Sequence, residues 1–238
     1  MFSAAIALVG NAGSKLCHFT QRWVPDSWVV CMILTVLAIL LAMLGAGASL
    51  NESVLAWGDG MWALLELAMQ FSIAMIAAHA CVSSKPVFTL LDRLATFPDK
   101  NRPVQAIVLT ALYSMIIAYF NWALSVVASA LFVPFVARRN PNVDIRVLIA
   151  SAYLGLGTVW HGGLSGSAPL ILATPGNPLI APATGEPIID RLIPVTESLF
   201  VPFNLIYLVV IGAVALATVV ALHPRSNRKT LSEDQVRQ

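Results

Sequence analysis

The chain has 238 residues, 58% of them hydrophobic and only 11% charged. A soluble domain carries about 25% charged residues, so this one has too little charge to face water all round, and lipid must cover much of it. The net charge of +2 gives neither the basic stripe of a nucleic-acid binder nor an acidic tail.

The first ten residues are apolar but lack a charged leader, and Lys15 and Arg22 follow them. The reading is an interfacial N-terminal segment over residues 1–26 rather than a cleaved signal. Residues 27–222 form the membrane-embedded part. Its first span runs from Ser27 to about Ala48, long enough to cross the hydrocarbon core, with Pro25-Asp26-Ser27 as its start signal. A polar turn with Asn51, Glu52 and Asp59 precedes a second span from about Gly60 to Val82. The Ser83–Arg102 stretch spaces Val87, Phe88, Leu90, Leu91 and Leu94 as an amphipathic interfacial helix does.

Pro103–Ala137 is uncharged and too long for one span, with Lys100 and Arg102 before it and Arg138 and Arg139 after it. Basic flanks prefer the same side, so the segment must enter and return as a helical hairpin. Arms of about 17 residues favour a re-entrant form. Its tip is Phe120-Asn121-Trp122. A helix from Arg146 to Trp160 then stops at His161-Gly162-Gly163, and glycines, prolines and hydroxyls continue to Asn177. Ala181–Glu197 is a weakly acidic loop, Leu199–Leu222 is the last span, and 223–238 is a charged tail. Counting basic loops places both termini in the cytoplasm of an inner-membrane protein.

Interrupted backbone at membrane depth survives only inside protein or beside water. Half-helix ends there present partial charges to small ions. The two interruptions supply Asn121, Ser165, Gly166, Ser167, Thr174 and Asn177 as a neutral hydrogen-bonding set suited to a carboxylate. Glu66 and His161 are the candidates for proton or ion coupling, although Glu66 also stands where it can snorkel to the interface. Close packing of glycine and serine is the bland alternative. Cys17, Cys31 and Cys81 stand apart without CxxC or clustered histidines, so they read as apolar packing thiols. Neither a metal site nor a cofactor motif is expected. Gly163-Leu164-Ser165-Gly166 resembles the GxSG of intramembrane serine proteases, but His223 is the sole downstream histidine, and Ser167 spoils GxSxG. No enzyme is expected.

Arg22-Trp23-Val24-Pro25-Asp26, Trp57-Gly58-Asp59-Gly60-Met61-Trp62, Asn121-Trp122, Gly162–Pro169 and Ala173–Pro178 together resemble the short-chain fatty acid transporter family. The resemblance implies an all-α polytopic membrane fold. It is similar to one repeat of an ion-transporter superfamily, in which a re-entrant hairpin and a broken helix meet at a central site. It implies transport of a small monocarboxylate coupled to H⁺ or Na⁺, with Asn121, Ser165, Ser167, Thr174 and Asn177 at or near the substrate. Such proteins are about twice this length. The expected partners are therefore the lipid bilayer, the carboxylate, the coupling ion, and a C-terminal half or second chain, with no nucleic acid. The alternative is a non-transporting subunit or remnant.

Overall fold

A computed structural model describes residues 19–20, 22–177, 179–180, 186–224 and 228–230, with the backbone alone at Ala63, Glu66 and Leu67. Most of the 1–26 segment, Lys15, Cys17, Arg225, the Glu66 side chain and the end of the tail lie outside the described residues. Those described are helical or irregular, without a strand, and four to five helices are long and apolar enough to cross a membrane. The chain divides into two compact units at Ile73.

In the first unit, α1 (Ser27–Ala46) starts where the sequence signal places it. Asp26 accepts from the Trp28 N–H at 2.9 Å, and Gly47 closes the helix at φ 68°. The expected polar turn at Asn51–Asp59 is helical instead, as α2 (Leu50–Ala63). Ser49 and Glu52 form a reciprocal capping box there, satisfying two end donors at 2.8 and 3.2 Å and starting the helix before the polar residues could form a turn. After Leu64, α3 (Leu65–Val82) begins.

The second unit holds the end of α3 and everything after it. Ala68–Val82 and α4 (Lys85–Leu94) are bent by 71° at Ser83–Ser84. The amphipathic helix expected there is α4, whose Leu91 is buried. The expected hairpin is α5 (Pro103–Phe120) and α6 (Trp122–Arg139), with Asn121 alone between them. Its arms are antiparallel. The Ser125 hydroxyl donates to the Ser114 carbonyl at 3.0 Å, and the Tyr113 and Phe132 rings lie 4.6 Å apart. Each arm has 18 residues, or about 27 Å of helix, long enough to span by itself.

A segmented helix follows: α7 (Ile145–Ala152), α8 (Leu154–Gly157) and a 3₁₀ turn, Trp160–Gly162. Then come α9 (Ser167–Ala173), a 3₁₀ turn (Val195–Glu197) and α10 (Pro202–Leu222). The core packs Leu91, Ile107, Phe132, Val136 and Leu148 from α4 to α7, with Val219 of α10. Lipid tails are as apolar as these side chains, so dispersion and close fit, rather than burial from water, hold the core together.

The two ends of this unit differ. At one end, Arg139 binds Asp92 at 2.6 Å and joins α6 to α4. The buried Asp144 carboxylate caps α7 and receives Arg146 at 2.7 Å and the Lys229 N–H at 3.0 Å. Arg228 donates to the Asn142 carbonyl at 3.2 Å. Residues 228–230, the described part of the tail beyond Pro224, are irregular and held to this end by these bonds. His223, 9% exposed, accepts weakly from the Asp144 N–H at 3.5 Å. The other end carries the hairpin tip, the glycine break and the start of α10.

Candidate functional site

The helix break between α7 and α8 is satisfied by one residue of the hairpin. The Ser114 hydroxyl donates to the Ala152 carbonyl at 2.6 Å and accepts from the Gly155 N–H at 3.0 Å. Both groups would otherwise lie orphaned in an apolar interior. Gly155 is required by the approach itself. A Cβ there would collide with the Ser114 carbonyl and stand 2.8 Å from Ala118 Cβ.

The second interruption meets the hairpin tip. The Leu164 N–H donates to the Tyr119 carbonyl at 2.7 Å, and the Trp122 N–H donates to Ser165 Oγ at 2.9 Å. Gly163 allows this closeness, since a Cβ there would lie 2.6 Å from the Tyr119 oxygen. Asn121 Oδ1 accepts from the Leu124 N–H at 2.9 Å and caps α6. Asn204 Nδ2 holds the Gly162 carbonyl at 3.0 Å and the Leu199 carbonyl at 2.8 Å. Trp160 Nε1 donates to the Ser165 carbonyl at 2.8 Å, and its ring lies 4.5 Å from the His161 ring and 6.3 Å from Trp122.

Asn121 and Ser165 are thus brought into one junction through Trp122. His161 and Ser167 are exposed beside it, and Gly166 is buried where a Cβ would lie 2.5 Å from the His161 carbonyl oxygen. Thr174 and Asn177 bond within their own segment. Thr174 Oγ1 donates to the Leu170 carbonyl at 2.7 Å, and the buried Asn177 amide spans the Thr174 carbonyl and the Leu179 N–H. Glu66 belongs to α3, and its side chain lies outside the described residues. His223, the histidine a serine protease would need, sits at the opposite end against Asp144.

Sequence reasoning did not single out Ser114, Gly155, Trp160 or Asn204. Asn204 carried a signal, as a lone amide inside the last span. Ser114 and Gly155 carried none, because small residues in apolar helices are usually packing. An open apolar groove of about 610 Å³ runs between α5 and α10 and reaches the junction at Tyr119 and Phe120. Among the described residues no three His, Cys, Asp or Glu side chains gather. The junction offers neutral amides, hydroxyls and helix ends.

Several apolar helices and interrupted segments that are mutually satisfied inside the protein define a polytopic helical membrane protein. The sequence profile of the short chain fatty acid transporter family matches residues 8–236, and the chain belongs to that family, one of transporters and not of enzymes. Two curated relatives are provisionally named short-chain fatty acid transporters. The one from Escherichia coli (strain K12) is 38% identical over 198 residues, covering 83% of this chain and 43% of its own length. The one from Haemophilus influenzae is 31% identical over 198 residues, covering 83% of this chain and 44% of its own length. The chain thus spans less than half the length of the curated relatives it matches. No solved structure matches it.

Proposed function

We propose that this chain supplies part of the binding site of a secondary transporter for short-chain monocarboxylates. The observation that carries the proposal is the Ser165–Trp122 bond, which joins two separate interruptions of the backbone at one place. A carboxylate there would exchange the Ser165 and Asn121 oxygens for its own at the positive end of α6. Trp122, Trp160 and the groove past Tyr119 would face its apolar part. Ser165, Gly166 and Ser167 line the junction in this proposal, with Asn121 opposite. Thr174 and Asn177 keep the returning segment in place.

Coupling to H⁺ or Na⁺ belongs to the same proposal, with His161 beside the junction and Glu66 as the candidate groups. The chain is placed in the inner membrane with both termini cytoplasmic, 1–26 at the interface, 27–222 embedded and 223–238 as the tail. The remaining length of the relatives would complete the site, from a C-terminal half or a second chain. Because the matched length is under half, a second reading is a subunit that assembles but does not transport.

The test is uptake of labelled butyrate or acetoacetate into cells making the chain, alone and together with a chain supplying the remaining length. Uptake that collapses when the proton or sodium gradient is removed supports the transporter reading and names the ion. Correct insertion without uptake in either arrangement contradicts it.

A further inference from the structure

The charge of the second unit is concentrated at one end, although the whole chain is only +2. Around the start of α5 and the end of α6, seven cations from Lys85 to Arg146 face three carboxylates, Asp92, Asp99 and Asp144. At the other end, Glu186, Asp190 and Glu197 outnumber Arg191. The contacts described above fix this clustering. Asp92–Arg139 ties α4 to α6, the antiparallel hairpin returns Arg138 to the level of Arg102, and Asp144–Lys229 brings in the tail.

Arg102, Arg139 and Arg146 share carboxylates at 4.0, 2.6 and 2.7 Å. Lys85, Arg93, Lys100 and Arg138 are exposed and have no ion-pair partner among the described residues. Lys85, Lys100 and Arg138 stand within about a turn of the points where uncharged helix begins or ends, and Arg93 lies in the last turn of α4. α4 turns 71° away from the preceding helix and buries Leu91 beneath its charged side. Phe97, 73% exposed, stands beside it, as aromatic residues do at headgroup depth.

We propose that this basic end is a docking surface for the headgroups of anionic phospholipids. The location favours lipid over nucleic acid or an acidic protein. The free cations lie at the rim of the apolar helices, where headgroup phosphates stand, and an apolar aromatic side chain is exposed among them. A cation near an anionic membrane surface strengthens attachment roughly fivefold.

The test is native mass spectrometry of the purified full chain in micelles containing equal amounts of phosphatidylglycerol and phosphatidylcholine with matched acyl chains. The protein is expected to retain phosphatidylglycerol at least tenfold over phosphatidylcholine, and the preference is expected to fall as salt is added. The combined variant Lys85→Gln, Arg93→Gln, Lys100→Gln and Arg138→Gln loses the preference, whereas Arg191→Gln at the other end keeps it. Equal retention of the two lipids by the wild type overturns the proposal. So does a preference that salt leaves unchanged, a measurement that holds even if the combined variant misfolds. Displacement by inorganic phosphate at matching concentration would point to a free-anion site and likewise overturn it.

Discussion

Gly155→Ala probes how the segmented helix seats on the hairpin. Its new Cβ would collide with the Ser114 carbonyl oxygen and lie 2.5 Å from the carbonyl carbon and 2.8 Å from Ala118 Cβ. These are backbone and Cβ atoms of a packed helix and cannot swing aside, so α8 must lift from α5. Overpacking of this kind costs about 1–3 kcal/mol. The lift also stretches the two Ser114 bonds to Ala152 and Gly155, each worth about 1 kcal/mol. The expected loss is about 2–4 kcal/mol. Gly157→Ala is the control on the same helix: a Cβ there meets nothing within 4 Å, and alanine favours helix by up to about 1 kcal/mol. The assay is reversible unfolding in mixed micelles, followed by helical circular dichroism. Equal stabilities for the two variants would refute the close approach. In the double variant Ser114→Ala/Gly155→Ala the costs should add to less than their sum, since both remove the same bridge.

Further consequences can be tested separately. Gly163→Ala would set its Cβ 2.6 Å from the Tyr119 oxygen, and it should abolish substrate protection at the junction while leaving the helix content intact. Ser165→Ala removes the acceptor of the Trp122 N–H and should speed hydrogen exchange of that amide on the order of tenfold. Thr174→Ala should leave it unchanged, because the Thr174 hydroxyl donates to the Leu170 carbonyl of its own helix. Burial pushes the Asp144 carboxyl up, but Arg146 and the Lys229 and Arg146 N–H groups outweigh it and hold it down at about 2. Its stabilisation, about 2 kcal/mol, is therefore present above the ordinary carboxylate value and lost as pH falls from about 4 toward 2. Asp144→Asn should flatten that acid limb of a stability–pH curve. Burial, with Arg228 nearby, holds His223 below its ordinary value. The fold thus favours its neutral form, and the contacts of His223, Arg228 and Lys229 with the Asn142–Asp144 corner should loosen as pH falls below about 6.5, measurable as faster proteolysis after Leu222. His223→Gln should remove that dependence.

Charge-free length and glycine clusters made the main elements legible. The Pro103–Ala137 run could only be a hairpin, and Asn121 was its one polar point. Asp26 announced α1 because an N-cap acts locally, and α4 showed its apolar stripe. The Leu50–Ala63 helix was hidden because Glu52 and Asp59 look like turn residues, whereas Glu52 serves the capping box with Ser49. The meeting of Ser165 with Trp122 spans 43 positions, and no periodicity encodes a contact of that range. Ser114 was invisible for a similar reason: its partners at Ala152 and Gly155 exist only after α7 breaks. The candidate set was read from residue types, and these did not distinguish Ser165, which meets the hairpin tip, from Asn177, whose amide bonds within its own turn.

The central claim is that the hairpin tip and the glycine break form one place that receives a carboxylate. Asn121→Cys and Ser167→Cys, each in a chain without Cys17, Cys31 and Cys81, can be alkylated in membranes also containing the remaining length of the relatives. Butyrate should slow both reactions with the same concentration dependence, while a cysteine at Ile149 on the lipid-exposed side of α7 reacts unchanged. Protection of one position without the other, or of neither, would contradict a shared site.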